Sequence, residues 1–191
     1  MEWILASQSP RRKELLKEIV EQFEIIPAQG EEILPKNATV EEKVLALAKQ
    51  KAEEVASLPA SQGKWVLGAD TIVVLKKQIL GKPKDEQDAQ RMLSALSGKT
   101  HEVLTGVCMM KTEGGQTTSL VAVGKTKVVF NRLTQAQIQA YIASGSPMDK
   151  AGAYGIQDGG LVKKIKGSFS NVVGLPVELC KAMIDRIKQE N

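Results

Sequence analysis

Three observations on the sequence predict a mixed α/β fold. Helix and strand signals alternate along most of the chain, beginning with the apolar run Trp3-Ile-Leu-Ala6. Two helix starts carry reciprocal capping boxes, Thr39-Val-Glu-Glu42 and Thr134-Gln-Ala-Gln137. Between those helices, Thr100 to Phe130 alternates with period two around Gly114-Gly115, the mark of a long hairpin. Strand–helix units favour parallel pairing and a hairpin requires antiparallel pairing, so the expected sheet is mixed, twisted and flanked by helices. The 191 residues contain no internal repeat, low-complexity tract or linker, and a single domain over 1–191 is expected.

Trp3 to Ala6 reads as a short buried strand. Ser9 is a good N-cap and Pro10 suits the first helical position, which predicts a helix over about residues 10 to 20. Phe23-Glu-Ile-Ile26 reads as a short strand, followed by a polar loop from Pro27 through Ala38. The helix opened by Thr39 is expected to reach about Ser57, with Val44, Leu47, Ala48, Lys51, Ala52 and Val55 on one face. Lys51 is out of place on that apolar stripe unless it reaches into a cleft.

Trp65-Val-Leu-Gly-Ala-Asp70 reads as a buried strand whose apolar run ends at Asp70, and Thr71 to Leu75 continue the strand. Lys76-Lys-Gln78 reads as a turn and Ile79-Leu-Gly-Lys-Pro83 as the return. Asp85 caps a helix to Leu96 that Gly98 closes. Thr134 opens a helix to about Ala143, which Gly145 to Pro147 breaks. Gly152-Ala-Tyr-Gly155 reads as a glycine-rich loop, Leu161 to Ile165 as a strand, and Pro176 as the opening of the C-terminal helix.

Composition narrows the function. Apolar residues make up 42% of the chain, yet there are only three Phe, two Tyr and two Trp, so the core has to be aliphatic. The net charge of +4 suits a protein that handles anions. The lysines are scattered with no aromatic stacking platform among them, which argues against nucleic acid. Cys108 and Cys180 are far apart and read as reduced core thiols, pointing to the cytoplasm. No signal sequence or apolar run of membrane-spanning length is present, so no membrane partner is expected.

Arg11, Arg12 and Lys13 occupy the first turn of a predicted helix, the wrong end for cations. Beside Ser7, Ser9 and the backbone N–H groups of a helix start, they make a candidate phosphate cradle. This segment alone leaves an ordinary surface open as well. Asp70, placed after a run of apolar residues, is a candidate base or metal ligand. Ligands of open α/β sheets bind beyond the carboxyl ends of strands. A helix cap or a salt-bridge role is the plain alternative, the cap being disfavoured because Thr71 continues a strand. The Glu31-Glu32 pair can complete an oxygen site with Asp70 or belong to a solvated face. Lys51 and Lys82 offer point charges suited to phosphate. P-loop and dinucleotide fingerprints are absent. The single histidine, His101, reads as a surface strand residue.

Several blocks together resemble the Maf family. They are Leu5-Ala-Ser-Gln-Ser-Pro-Arg-Arg12 with Glu14-Leu-Leu16, Gly68-Ala-Asp-Thr71, Gly81-Lys-Pro83, Met92-Leu93, Leu96-Ser-Gly98 with His101, Asp149-Lys-Ala-Gly-Ala-Tyr-Gly-Ile-Gln157 and Val173-Gly-Leu-Pro176. The blocks run in order through the chain, and Gln8 stands where some members have glycine. The resemblance implies the two-lobed fold of inosine triphosphate pyrophosphatases, with a central cleft. It implies hydrolysis of nucleoside triphosphates between the α and β phosphates, supported by a divalent cation, Mg²⁺ or Mn²⁺. Arg12, Thr71 and Gln157 match the positions that the dTTP/UTP branch uses for selectivity. Asp70 matches the proton acceptor, Glu32 with Asp70 the metal ligands, and Ser7, Ser9, Arg11, Lys51 and Lys82 further substrate-binding positions. A homodimer is implied by analogy. A rival role associated with the family is a nucleotide- or nucleic-acid-binding regulator of septum formation and cell-division arrest.

Overall fold

A computed structural model describes residues 1–190. Seven strands form one mixed sheet: β1 (Trp3–Leu5), β2 (Glu24–Ile25), β3 (Trp65–Leu75), β4 (Gln78–Leu80), β5 (Thr100–Glu113), β6 (Gln116–Phe130) and β7 (Val162–Lys166). Their order is β2-β1-β3-β5-β6-β7, with β4 paired to β3. The pairings of β1 with β2 and β3 are parallel, and those of β3 with β4 and β6 with β7 are antiparallel. The helices are α1 (Pro10–Lys17), α2 (Val40–Ala56), α3 (Glu86–Leu96), α4 (Gln135–Ala143), α5 (Phe169–Val173) and α6 (Val177–Glu190). None is long and apolar enough to cross a membrane.

The caps explain where these helices begin. Ser9 Oγ accepts the Arg12 N–H, and both predicted capping boxes form in full. Asp85 caps α3 through the Asp88 N–H. The β3–β4 turn places Lys76 and Lys77 at φ of 49° and 69°, the left-handed pair that suits the twist of a two-residue hairpin.

The chain divides into two compact units. The first comprises Met1–Asp70, Thr105–Gly124 and the chain from Gly174, and the second Thr71–Leu104 and Lys125–Val173. In the first unit both faces of the sheet are buried. Trp3, Leu5, Trp65, Leu67, Ala69, Val107 and Met109 pack with Leu16 of α1 and with Cys180, Met183, Ile184 and Ile187 of α6. Ile4, Ala6, Val66, Cys108 and Met110 pack with Ala48, Ala52, Val55 and Ala56 of α2. Side chains alternate between faces along a strand, so two covered faces demand the unbroken apolar runs seen in β1 and β3. Burial pushes the Cys108 and Cys180 thiols up to about 12, so both stay protonated.

Two expectations are corrected. Thr71 to Leu75 do continue the strand, so Asp70 is not at its end but is the sixth residue of the eleven-residue β3. A charge in mid-strand is costly unless paired, and its partner is described below. His101 is not a surface residue but is 2% exposed in the core of the second unit. Its ring lies edge-on to Phe130 and Tyr154, with centroids 5.1 and 5.4 Å away, and Nε2 is 2.7 Å from the Tyr154 hydroxyl. The polar tip therefore has a partner inside an aliphatic and aromatic cluster.

Burial drives the His101 pKa down to about 4. The unfolded chain binds a proton near pH 6.5 that the folded chain refuses, so this contribution to stability is complete above pH 6.5 and is lost as pH falls toward 4. The loss amounts to about 3 kcal/mol. Denaturant midpoints measured from pH 7 to pH 4 should fall accordingly. His101→Phe should flatten that part of the profile.

Candidate active site

Strand alternation decides which way the candidate carboxylate points. Trp65, Leu67 and Ala69 face α1 and α6, so Val66, Gly68 and Asp70 face α2. A Cβ built on Gly68 would lie 2.4 Å from the Ala48 carbonyl oxygen and 2.7 Å from the Ala52 nitrogen. Gly106 on β5 is equally tight, its Cβ position 2.4 Å from the Val44 carbonyl oxygen. Both glycines let the α2 backbone lie directly against the sheet. The apolar face of α2 is buried as the periodicity predicts, and Lys51 emerges from it toward Asp70.

Lys51 Nζ is in salt-bridge contact with Asp70 Oδ1 and lies 2.8 Å from Glu32 Oε1. The Lys51 and Asp70 side chains are only 19% and 12% exposed. One ammonium thus gathers two carboxylates from segments 38 residues apart, and the mid-strand charge is compensated.

The loop carrying Glu32 is not a solvated tether. Gln50 accepts the Ile33 N–H at 3.0 Å and donates to the Ile33 carbonyl at 2.6 Å. Glu54, one turn further along α2, accepts the N–H groups of Gln29 (2.7 Å) and Gly30 (2.9 Å). These two residues flank Lys51 on the helix and fasten the loop on either side of Glu32. Sequence reasoning missed them. The available signal was two polar residues at i and i+4 around a lysine already out of place. At about 1 kcal/mol per net hydrogen bond, Gln50→Ala should speed amide exchange at Ile33 by roughly fivefold or more. Exchange within β3 should not change.

The start of α1 is built as a basic corner. Ser7 Oγ accepts the Ser9 N–H at 3.2 Å and lies 3.4 Å from Arg12 Nη1. Arg12 Nε donates to the Gly174 carbonyl at 2.8 Å. The Val173-Gly-Leu-Pro176 block therefore anchors a guanidinium rather than supplying a chemical group. Burial lowers the Arg12 pKa, with the Asp70 charge acting in the opposite direction. Arginine remains a cation under either influence. Ser7, Ser9, Arg11, Arg12, Glu32, Lys51 and Asp70 all belong to the first unit.

Thr71, Lys82 and Gln157 belong to the second unit. Lys82 and Gln157 are exposed, and Thr71 is half-buried on β3. The Gly152 N–H donates to the Gly81 carbonyl at 3.0 Å, which ties the loop bearing Lys82 to the segment leading to Gln157.

Among the described residues no three His, Cys, Asp or Glu side chains gather as a metal cage. Asp70 and Glu32 nevertheless form a hard, anionic oxygen pair already drawn to one cation. That donor set fits Mg²⁺ or Mn²⁺, which take one or two carboxylates and complete their shells with water and phosphate oxygens.

Comparison with known proteins places these features in context. A family model described as "Maf-like protein" matches residues 2–187. A protein of Agathobacter rectalis named dTTP/UTP pyrophosphatase is 51% identical, covering 91% of each chain. Proteins of the same name from Geotalea uraniireducens and Bdellovibrio bacteriovorus are 49% and 45% identical, covering 97% and 96% of this chain and 93% and 97% of their own. Two solved structures, of Ham1 proteins from Coxiella burnetii and Staphylococcus aureus, share the fold with TM-scores of 0.54 and 0.53. They are 16% and 14% identical, with 97% of this chain covered in each case and 99% and 98% of theirs.

Proposed function

The chain belongs to the Maf family, and from that premise we propose that it hydrolyses dTTP and UTP to the monophosphate and pyrophosphate. The name shared by relatives at 45–51% identity supports the substrate class. The observation that carries the chemistry is the convergence of Asp70 and Glu32 on Lys51, in the unit where Arg11 and Arg12 open α1.

In this reading Asp70 takes the proton of the attacking water. The water oxygen bonds to the α phosphorus, the bridge to the β phosphate breaks, and pyrophosphate leaves. Lys51 orients Asp70 through Oδ1 and holds Glu32 beside it. Arg11, Arg12 and Lys82 bind phosphate oxygens, and the Ser7 and Ser9 hydroxyls complete the phosphate contacts. Arg12 is held ready by Gly174 and Ser7, so little reorientation is needed on binding. Glu32 and Asp70 would hold a divalent cation, which would supply positive charge against the triphosphate and lower the pKa of water. The Gln157 amide, both donor and acceptor, reads the pyrimidine edge, and Thr71 contributes a hydroxyl. The family resemblance also carries a cytoplasmic homodimer, which light scattering on the purified protein checks.

Incubating the protein with dTTP or UTP and Mg²⁺ should release dTMP or UMP and pyrophosphate in equal amounts. Release of the diphosphate and orthophosphate would overturn the bond assignment. No turnover, together with DNA binding that falls steeply with salt, would favour the regulator.

A further inference from the structure

Gln157 is exposed on a short helical turn, Ile156–Asp158, yet the backbone around it is tightly held. Tyr141 of α4 supplies the fastening. Its Oη accepts the Gly155 N–H at 2.9 Å and donates to Asp158 Oδ2 at 2.5 Å. Gly155 and Asp158 are the residues on either side of Ile156-Gln157, so one hydroxyl grips both ends of the turn. The Asp158 N–H closes it by donating to the Gly155 carbonyl at 3.1 Å.

Other contacts brace the same carboxylate. Ser146 Oγ donates to Asp158 Oδ2 at 2.6 Å, and Lys150 Nζ donates to the Ser146 carbonyl at 2.5 Å. A Cβ on Gly155 would come within 2.8 Å of Asp158 Oδ2 and 2.9 Å of Lys150 Cε, so the turn is packed as well as hydrogen-bonded. Beyond it, Gly159 and Gly160 both have positive φ, a conformation glycine adopts without strain. Tyr141 and Asp158 therefore hold the turn at Gln157 from its two ends, and Asn131 fixes the chain that follows by donating from Nδ2 to the Gly160 carbonyl at 2.9 Å.

We propose that Tyr141, acting through Asp158 and the Gly155 N–H, is the positioning residue that sets the Gln157 amide for base selectivity. The inference rests on the reading of Gln157 as the pyrimidine-contacting residue. Discrimination by an amide requires its donor and acceptor to be held where the base edge presents their complements, and a turn free to rock would satisfy several bases equally. Burial raises the Tyr141 pKa to about 12, so the phenol keeps the proton it donates to Asp158 across the working pH range.

The test compares kcat and KM for dTTP and dCTP in wild type, Tyr141→Phe, Asp158→Ala, Asp158→Asn and Gln157→Ala. Tyr141→Phe removes a single oxygen. It should lower the preference for dTTP over dCTP by roughly tenfold, through KM more than kcat. Asp158→Ala should do the same, and Asp158→Asn, which keeps an acceptor for Tyr141, should retain most of the preference. Amide exchange at Gly155 should quicken in Tyr141→Phe.

A lower melting temperature with the wild-type preference intact would show Tyr141 to be merely structural and would overturn the proposal. If Gln157→Ala abolishes the preference and Tyr141→Phe does not, the brace alone is wrong. If Gln157→Ala also preserves the preference, the assignment of Gln157 fails and the proposal falls with it. Should Tyr141→Phe not fold, the Asp158 pair decides: equal preference in Asp158→Ala and Asp158→Asn would overturn the proposal.

Discussion

Asp70→Asn should lower turnover of dTTP by about 10²- to 10⁴-fold, the range expected when a positioned proton acceptor is removed. Asparagine keeps the shape of the side chain and an oxygen that can accept from Lys51, so α2 and the loop bearing Glu32 should stay in place. What disappears is the negative charge and the capacity to take a proton from water. Binding of a non-hydrolysable α,β-imido dUTP analogue, followed by calorimetry in the absence of divalent cation, should stay within a fewfold of wild type. The variant removes one charge from a largely buried cluster, so some loss of stability is expected because Lys51 then has Glu32 as its only charged partner within the trio. Thermal unfolding has to accompany the kinetics for that reason. Turnover within tenfold of wild type in a folded variant would remove Asp70 from the role of base and leave it as the partner of Lys51.

The contrast between Asp70 and its surroundings shows what the sequence could and could not convey. The apolar runs of β1 and β3, the caps of α2, α3 and α4, and the Gly114-Gly115 hairpin are local features, and the structure has them within a residue or two of expectation. The family blocks likewise pointed to the Maf match later found over residues 2–187. Errors arose where the deciding contact is distant in sequence. Asp70 reads as the end of a strand because a carboxylate inside one is expensive. The structure keeps it there because Lys51 arrives from another element. His101 reads as a surface residue because nothing adjacent offers it a partner, whereas Tyr154 does so from 53 residues away. The stretch after Pro27 is the loop expected, but its fastening by Gln50 and Glu54 was not legible, because contacts to backbone donors and acceptors leave no trace in side-chain pattern. Helix α5, only five residues long, is too short to show a period.

Gly68→Ala should have the second large effect, and it tests how the carboxylate and the ammonium are brought together. The new methyl group would stand 2.4 Å from the Ala48 carbonyl oxygen and 2.7 Å from the Ala52 nitrogen. Both are backbone atoms in the middle of α2, so no side chain can swing aside and the helix itself has to retreat from the sheet. Forced overpacking of this kind costs about 1–3 kcal/mol, which corresponds to a fall in melting temperature of roughly 2–12 °C in a chain of this size. Lys51 lies on α2 between Ala48 and Ala52, so the retreat carries its ammonium away from Asp70. A displacement near 1 Å in a catalytic constellation costs on the order of 10²-fold in rate. Gly68→Ala should therefore lose activity at temperatures where it is still fully folded, although the substitution adds only a methyl group. Gly106→Ala should destabilise through the same helix, at Val44. Gly81→Ala is the control for stability, since its Cβ would meet nothing within 4 Å and its melting temperature should be unchanged or slightly raised. Wild-type stability and turnover in Gly68→Ala would mean that α2 can shift without consequence, and that close contact between helix and sheet is not what sets Lys51 against Asp70.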